Sequence, residues 1–435
     1  MEYIFNYHKM HIILLLPIIV VFAKSNLEDC LIGLVQDDDD LIKKIAFSAK
    51  AEEIGLESEI ISVTPFHSYN TLAETCHMIE SGVVALFGPQ TEENSQIVET
   101  VCNHKDIPHI ESRWNVNPKT VLSTINMYPH GPTLSKAFAD LVALKYDQTF
   151  TIFYEDNESL ARVTEILKRE REFSIFIRQL ETNGTRNYRP TLKEARNAGH
   201  THFVIDCHID HLSDILQQAQ QVGLMTSNHF YIVTNLDLQT IDLEPYKYSE
   251  SNITGFRMID PEAEATNRLA RIINKKQKDF EIDPSEMQSI EAHNIRVETA
   301  LMVDGLTLLK MGLKDLPKAD RCVTKLTCND EVGWGHGSSA INSMKMSSFD
   351  GVTGLVKLDP EGFRTEFNLD IVELNETGLN KIATWNITHG LNVEKVAYQY
   401  SLENVSFTVI TTLTEPYGML TESYESLTGN ARYEG

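Results

Sequence analysis

The sequence of 435 residues is short of positive charge, with 38 Lys and Arg residues against 62 Asp and Glu residues and a formal net charge of −24. Nucleic acids and anionic membrane surfaces bind proteins through a basic face, so this balance argues against both as partners. Three enzyme patterns are also missing: a nucleophile elbow, a phosphate-binding P-loop and the HExxH zinc motif. We therefore expect neither an enzyme nor a bound cofactor.

Long apolar runs are equally scarce, since only the N-terminus carries one. The run His11–Ala23 (HIILLLPIIVVFA) follows Lys9 and ends in Val21-Phe22-Ala23. It has the length of a signal-peptide core and is short for a transmembrane helix. We predict a signal peptide over residues 1–23 and a secreted or cell-surface mature chain without a transmembrane segment. The alternative is a buried hydrophobic helix.

Cysteine is sparse as well, with six residues in the chain. Their spacing suits neither a zinc ribbon nor a small disulfide scaffold, so one or two bridges on a larger fold are expected. Sequons of the form N-x-[ST], which are surface sites if they are glycosylated, begin at Asn157, Asn183, Asn252, Asn375, Asn386 and Asn404. Both features agree with an oxidising compartment outside the cytoplasm.

The most informative segment is a strand–turn–helix–strand unit between Val83 and Ile110. Val83–Phe87 is a short apolar run typical of a strand buried on both faces, and Gly88-Pro89 ends it. Thr91 then stands where a helix N-cap is expected. Ligands of parallel α/β folds bind at the carboxyl ends of strands, beside helix N-termini. Thr91 and Ser95 are therefore candidate cleft residues.

Acidic residues weaken this ligand site. Glu92 and Glu93 already neutralise the start of the predicted helix and would repel a carboxylate. The unit is therefore interpreted as scaffold. The run Asp37–Asp40 is interpreted in the same way, as a cap on the helix that follows it. A calcium loop, the alternative, would need alternating ligands and a downstream Glu.

A group of metal-ligating residues follows a later predicted strand. His202, Cys207, His208 and His211 are weak candidates for a zinc site, because imidazoles and thiols are good zinc ligands. The alternative is a polar rim of the cleft, since His202 lies in the strand and the others follow it.

Strand and helix patterns alternate twice along the chain, which predicts an α/β fold with two lobes. We expect a bilobed, periplasmic-binding-protein-like clamshell with two doubly wound parallel sheets joined by about three crossings. The first lobe is predicted at about residues 28–127 and 255–348, and the second at about 128–254 and 349–398. A hairpin turn is predicted at Asp359-Pro360-Glu361-Gly362.

Several motifs together resemble the extracellular part of a kainate-type ionotropic glutamate receptor subunit. They are FGPxxxxxS…C…IPHI, DLEPYKYSESNITGFRMI, FDGVTGLVKLDPEGFRTEFNLDIVEL, KIATWN and TTLTEPYGML, in the family's order and spacing from about Leu31 to Gly435. The full family member is a glutamate-gated cation channel of synapses. The resemblance implies that residues 24–400 form the amino-terminal domain, which drives subunit assembly.

The resemblance also implies roles for individual residues. The first lobe would form homodimers or heterodimers with other kainate-type subunits, with Tyr69 at the interface; the alternative is a half-exposed tyrosine packed on its own lobe. Cys76 would be bridged to Cys328, while the pairing of Cys30 and Cys322 stays open. Cys102 and Cys207 are expected to be buried free thiols.

The last part of the chain resembles the start of the family's glutamate-binding domain. Residues 401–406 are a predicted linker, and residues 407–435 carry Tyr417, which matches the tyrosine that covers the ligand. The family residues that hold the α-amino and α-carboxylate groups lie beyond Gly435, so we expect no useful glutamate affinity and no ion conduction. Two alternatives remain: a secreted clamshell that binds a small molecule, and a soluble decoy of full-length subunits.

Overall fold

The computed structural model describes residues 30–393, apart from 116–117, 171, 181–185, 281–288 and 324–325, and two short strands at 419–421 and 432–434. The chain falls into two units, Met1–Glu394 and Lys395–Gly435. The predicted signal peptide and linker lie outside the described residues, as do Asn183, Asn404 and Tyr417.

Strands and helices alternate through the described part of the first unit. The strands are β1 (Leu31–Gln36), β2 (Glu57–Ser62), β3 (Val83–Phe87), β4 (His109–Glu111), β5 (Thr124–Pro129), β6 (Phe150–Tyr154), β7 (Ile175–Gln179), β8 (His202–Asp206), β9 (Phe230–Val233), β10 (Asn252–Arg257), β11 (Ser348–Gly351), β12 (Gly354–Lys357), β13 (Phe363–Arg364), β14 (Asn368–Asn375), β15 (Gly378–Asn386) and β16 (Gly390–Val393). The helices are α1 (Leu41–Ile54), α2 (Ser68–Ser81), α3 (Glu92–Lys105), α4 (Gly131–Lys145), α5 (Asn157–Arg162), α6 (Thr164–Lys168), α7 (Arg189–Asn197), α8 (Ile209–Gln221), α9 (Glu264–Lys276), α10 (Val297–Lys314) and α11 (Gly337–Met346). In the second unit, β17 (Met419–Thr421) and β18 (Arg432–Glu434) form an antiparallel pair.

The first lobe is built on a parallel sheet with the strand order β13-β5-β4-β3-β1-β2. Every residue of β3 is buried, as its unbroken apolar run predicts, because β3 has paired neighbours on both sides. Helices α1, α2, α3 and α10 pack against the strands of this sheet, and α9 and α11 pack on α1 and α10. The prediction of a parallel sheet is confirmed.

The second lobe is built on a larger sheet with the order β16-β15-β14-β10-β9-β8-β6-β7. Strands β6 to β10 are parallel, and β14, β15 and β16 extend the sheet as an antiparallel meander. The meander is antiparallel because the connections are too short for a crossover; only Glu376 and Thr377 separate β14 from β15. The second sheet is therefore mostly parallel.

The chain passes between the two sheets three times: after β5, after β10 and after β13. These changes of sheet differ in position from the predicted lobe boundaries. β10 belongs to the second sheet up to Arg257, and β13 still pairs with β5 in the first sheet. The last return to the second sheet therefore comes after Arg364 and not at residue 349.

One local prediction, that of a hairpin, is wrong. The turn at Asp359–Gly362 forms, with a hydrogen bond of 3.0 Å from Gly362 N to Asp359 O, but it does not join a pair of strands. β12 before it pairs with β11, and β13 after it pairs with β5. Helix α10 begins at Val297, where its first amide donates a hydrogen bond to a side chain from a distant part of the chain. Among the described residues, none of the helices combines the length and the apolarity needed to cross a bilayer.

Candidate functional site

The turn after β3, predicted as a candidate ligand cleft, already holds a carboxylate of the chain. Asp37 follows β1, which is paired with β3, and is only 7% exposed. Its Oδ1 accepts a hydrogen bond from Gln90 N at 2.8 Å. Its Oδ2 accepts from Thr91 N at 3.0 Å, from Asn94 Nδ2 at 3.2 Å and from the Thr91 hydroxyl. The two amides that lead into α3 and the side chains of Thr91 and Asn94 therefore donate to Asp37.

Ser95, the other predicted cleft residue, also binds an acid of the chain. Its buried hydroxyl donates to Glu111 Oε1 in β4. Glu111 is itself buried, and its Oε1 lies 3.6 Å from Arg113 Nε. Burial, and then the charge of Glu111, raise the pKa of the nearby Glu99 carboxyl. The structure thus places Thr91 directly before α3 and Ser95 in its first turn, with the hydroxyl of each donating to an internal carboxylate.

The acidic run before α1 is divided among three partners and does not act as one cap. Asp40 caps α1, accepting a hydrogen bond of 3.1 Å from Lys43 N. Asp38 forms an ion pair with the buried Lys43 ammonium, which also lies 3.2 Å from Glu298. Asp37 accepts hydrogen bonds from the residues that lead into α3, as described above. Within the described residues, no three His, Cys, Asp or Glu side chains are placed to hold a metal ion.

The weak zinc candidates lie at opposite ends of one strand. His202 begins β8 and Cys207 directly follows its end, so at about 3.3 Å per residue they are roughly 16 Å apart. The His202 ring stacks on Phe230 with 4.6 Å between centroids. His211 Nδ1 lies 2.5 Å from Glu155 Oε1, and burial raises the pKa of the Cys207 thiol. His202 thus cannot join Cys207, His208 and His211 at one ion.

One arginine of the second lobe contacts an aromatic ring of the first. The Arg162 guanidinium, at the end of α5, lies 5.8 Å from the ring centroid of Trp114, which follows β4. Arg162 Nε donates to Asp206 Oδ1 at 2.9 Å, and one of its terminal amino groups donates to Ser159 Oγ at 3.1 Å. Asp206 thereby orients the cation for its contact with Trp114.

A second contact between the lobes is made by Asp237, which follows β9. Its Oδ1 accepts a hydrogen bond of 2.7 Å from Val297 N, the first amide of α10. Burial raises the pKa of the Asp237 carboxyl from 3.8 to about 7, and the charge of Glu298 acts in the same direction. Beside it, Arg296 forms an ion pair with Asp210 of α8. A carboxylate and an ion pair therefore tie the start of α10 to the second lobe.

The start of α2 presents an apolar surface to solvent. Phe66, Tyr69 and Leu72, here called the α2 face, are 73%, 79% and 43% exposed. The Tyr69 ring is therefore not packed on its own lobe. Behind this surface, Thr71 Oγ1 donates to Asn94 Oδ1 of α3 at 3.0 Å. Because Asn94 also donates to Asp37, one hydrogen-bond network joins α2, α3 and the end of β1.

Two disulfides fix the first lobe. One joins Cys76 in α2 to Cys328, and the other joins Cys30, directly before β1, to Cys322. Cys322 thus has a partner of its own and does not compete for Cys76. Cys102 and Cys207 are buried free thiols.

The described sequons all lie on elements of the second lobe. Asn157 begins α5, Asn252 begins β10, and Asn375 and Asn386 end β14 and β15. The strands and helices of the first lobe contain no N-x-[ST] triplet. Glycans on these sites would therefore cover the second lobe and leave the first lobe bare.

Sequence reasoning missed two carboxylates that bind the starts of distant helices, Asp37 in front of α3 and Asp237 at the first amide of α10. Only α10 carried a weak signal in the sequence, because it is preceded by Arg296, a residue type that does not cap helices. Thr91 before α3 is an ordinary cap residue by type, although its side chain makes no cap hydrogen bond in the structure. A helix start without a local acceptor indicates that a partner comes from elsewhere.

Comparison with known proteins agrees with this architecture. The family model described as "Receptor family ligand binding region" matches residues 56–377. The chain is 32% identical over 393 residues to the mouse protein named "Glutamate receptor ionotropic, kainate 1", covering 87% of this chain and 46% of that protein. It is 31% identical over 408 residues to the human protein of the same name, covering 87% of this chain and 44% of that one.

The chain spans less than half the length of these curated relatives. The matched region is the two-lobed unit, whose parallel sheets and crossings are those of a periplasmic-binding-protein-like fold. The chain therefore belongs to the receptor-family ligand-binding-region family, as an amino-terminal region of the kainate-type ionotropic glutamate receptors.

Proposed function

We propose that this chain acts as the extracellular assembly region of a kainate-type glutamate receptor subunit, and that it pairs with a like subunit through the α2 face. The observation that carries the proposal is the exposure of Phe66, Tyr69 and Leu72 on one helix start. Aromatic side chains at the centre of a contact supply much of the binding energy of protein interfaces. Because these side chains face water, they add little to the packing of their own lobe, and an exposed apolar cluster of this kind is typical of an interaction surface.

The rigidity of α2 supports the same proposal. Cys328 holds Cys76 in the middle of the helix, and the Thr71–Asn94 hydrogen bond ties its first turn to α3. An interface that is already ordered loses little conformational entropy on binding. The distribution of sequons is a further support, because an uncovered first lobe leaves the α2 face accessible to a partner.

Glutamate is not expected to bind the two-lobed unit at the start of α3. A ligand carboxylate would have to displace Asp37 from four donors and would meet the charges of Glu92 and Glu93. Isothermal titration calorimetry of the purified chain with glutamate is expected to show no saturable heat up to millimolar concentration. Submillimolar binding would contradict this part of the proposal.

A glycan placed in the α2 face gives a direct test of pairing. Tyr69→Asn creates an N-x-T sequon, because Asn70 and Thr71 follow it. We expect sedimentation velocity to show a wild-type dimer, alone or with a full kainate-type ectodomain, at micromolar concentration. The glycosylated variant should dimerise at least about 100-fold more weakly, and the unglycosylated control Tyr69→Gln about 10-fold more weakly.

A second control uses a sequon of the second lobe. Asn157→Gln removes a glycan far from the α2 face and is expected to leave the dimer dissociation constant unchanged. A wild-type chain that stays monomeric, both alone and with the ectodomain, would eliminate the assembly proposal. An unchanged dimer dissociation constant in the glycosylated Tyr69→Asn variant would show that the interface does not include the α2 face.

Placement outside the cell is part of the proposal. The predicted signal peptide, the two disulfides and the named relatives support it. The relatives are receptors rather than enzymes by name, which favours a binding role over catalysis.

A further inference from the structure

A pocket of about 580 Å³ lies between the two lobes, away from the turn that holds Asp37. The start of α1 forms its wall in the first lobe, and the start of α8 with residues 240–242 forms its wall in the second. The segment that leads into α10 closes the end. This volume lies within the range of about 300–1,000 Å³ that holds small organic molecules.

The lining of the pocket combines an aliphatic surface with acidic groups. The aliphatic side chains come from both lobes: Leu41, Ile42, Ile45, Ile209, Ile241 and Ile290. Two carboxylates, Asp210 and Asp242, and a single guanidinium, Arg296, also line it. Arg296 is paired with Asp210, whereas Asp242 is exposed, accepts a hydrogen bond from Glu244 N at 2.9 Å and interacts electrostatically with Lys247, which lies outside the lining. The charge left without a counter-ion among the lining residues is therefore negative.

Three helices begin around this pocket, and at each start one amide donates to a side chain of the chain itself. Asp40 caps α1 through Lys43 N at 3.1 Å, and Asp237 caps α10 through Val297 N at 2.7 Å. His208 Nδ1 accepts from Asp210 N at 3.4 Å at the start of α8. An anionic ligand in the pocket would face the two carboxylates of Asp210 and Asp242.

We infer that this pocket binds a small organic cation, an amine with an aliphatic body of about six to ten carbons. The body would lie on the isoleucine and leucine side chains, where each buried methylene adds about 0.8 kcal/mol. The ammonium group would lie beside Asp242 at the solvent edge. A ligand in this position touches α1 and α8 at once, so it holds the two lobes at a fixed separation.

Three probes with one body and different head groups test the inference. We expect ligand-detected NMR with the full chain to show octylamine binding, measured below its micelle concentration. Octanol should bind more weakly, and octanoate at least about tenfold more weakly than octylamine. Equal binding of the amine and the carboxylate, or no binding of the amine at millimolar concentration, would overturn it.

Two substitutions locate the binding. Ser213→Phe places a ring in the pocket from an exposed position, and it should abolish binding of all three probes without unfolding the chain. Asp242→Asn should weaken octylamine about three- to fivefold and leave octanol unchanged. The matched control is Asp350→Asn, which changes an exposed acid on β11. It should change the binding of neither octylamine nor octanol. Octylamine binding that survives Ser213→Phe would place the ligand elsewhere and would also contradict the inference.

Discussion

Replacing Asp37 with alanine is expected to destabilise the first lobe by about 2–4 kcal/mol, because several donors lose their acceptor at once. The amides of Gln90 and Thr91, the Asn94 side chain and the Thr91 hydroxyl all donate to this one carboxylate. Loss of the Asn94 contact also loosens the link to α2 through Thr71. We expect faster hydrogen–deuterium exchange over the start of α3 and over α2.

The same acidic run supplies the control for Asp37. Asp39 is exposed, so Asp39→Ala should change the free energy of unfolding by less than about 0.5 kcal/mol. Asp37→Asn retains one carbonyl acceptor, so its loss of unfolding free energy should lie between the losses of Asp37→Ala and Asp39→Ala. Denaturant unfolding followed by tryptophan fluorescence, to which Trp114 and Trp334 of the first lobe and Trp385 of the second contribute, measures each value. An Asp37→Ala variant as stable as Asp39→Ala would show that water replaces the carboxylate at no cost.

Asp237→Asn is expected to stabilise the protein above pH 7 and to remove one pH-dependent step from its stability. The pKa of the wild-type carboxyl is raised by burial from 3.8 to about 7 in the folded chain. Between these values the unfolded chain has lost a proton that the folded chain retains, so the contribution of Asp237 to stability falls as pH rises from about 4 to about 7. Above pH 7 the penalty is constant, at about 2–4 kcal/mol for this partly exposed group.

The asparagine variant avoids this penalty while its carbonyl still accepts the hydrogen bond from Val297 N. The difference in unfolding free energy between the variant and the wild type should therefore grow from pH 4 to pH 7 and then level off. Asp242→Asn, an exposed neighbour, is the control and should give a difference that does not follow this curve. Denaturant midpoints at pH 4.5, 6 and 8 provide the measurement. A flat difference for Asp237→Asn would rule out the raised pKa as the cause.

Much of the fold could be predicted because its signals are local. The five residues of β3 are apolar in succession, and the helix starts of α2, α3 and α4 carry ordinary turn and cap residues nearby. The parallel sheet of the first lobe follows from the alternation of such segments. The three antiparallel strands β14 to β16 have equally local signals, but their attachment to β10 depends on a partner more than 100 residues away.

The candidate site was harder to predict, since its contacts join residues that are distant in sequence. Asp37 reaches α3 across 54 residues, and Asp237 reaches α10 across 60 residues. Nothing near Thr91 or Val297 in the sequence reveals these acceptors. Likewise, the spacing of His202 and Cys207 in the chain suggested proximity, whereas an extended strand holds them apart.

The pairing of the cysteines also sets an order of events during synthesis. Cys30 and Cys76 lie in the part of the first lobe made before the second lobe, whereas Cys322 and Cys328 lie in the part made after β10. Both bonds must wait until the intervening parallel strands of the second lobe have been synthesised. Until then α2 is not cross-linked to Cys328. A nascent chain can therefore hold the α2 face in its final position only after most of the chain has been made.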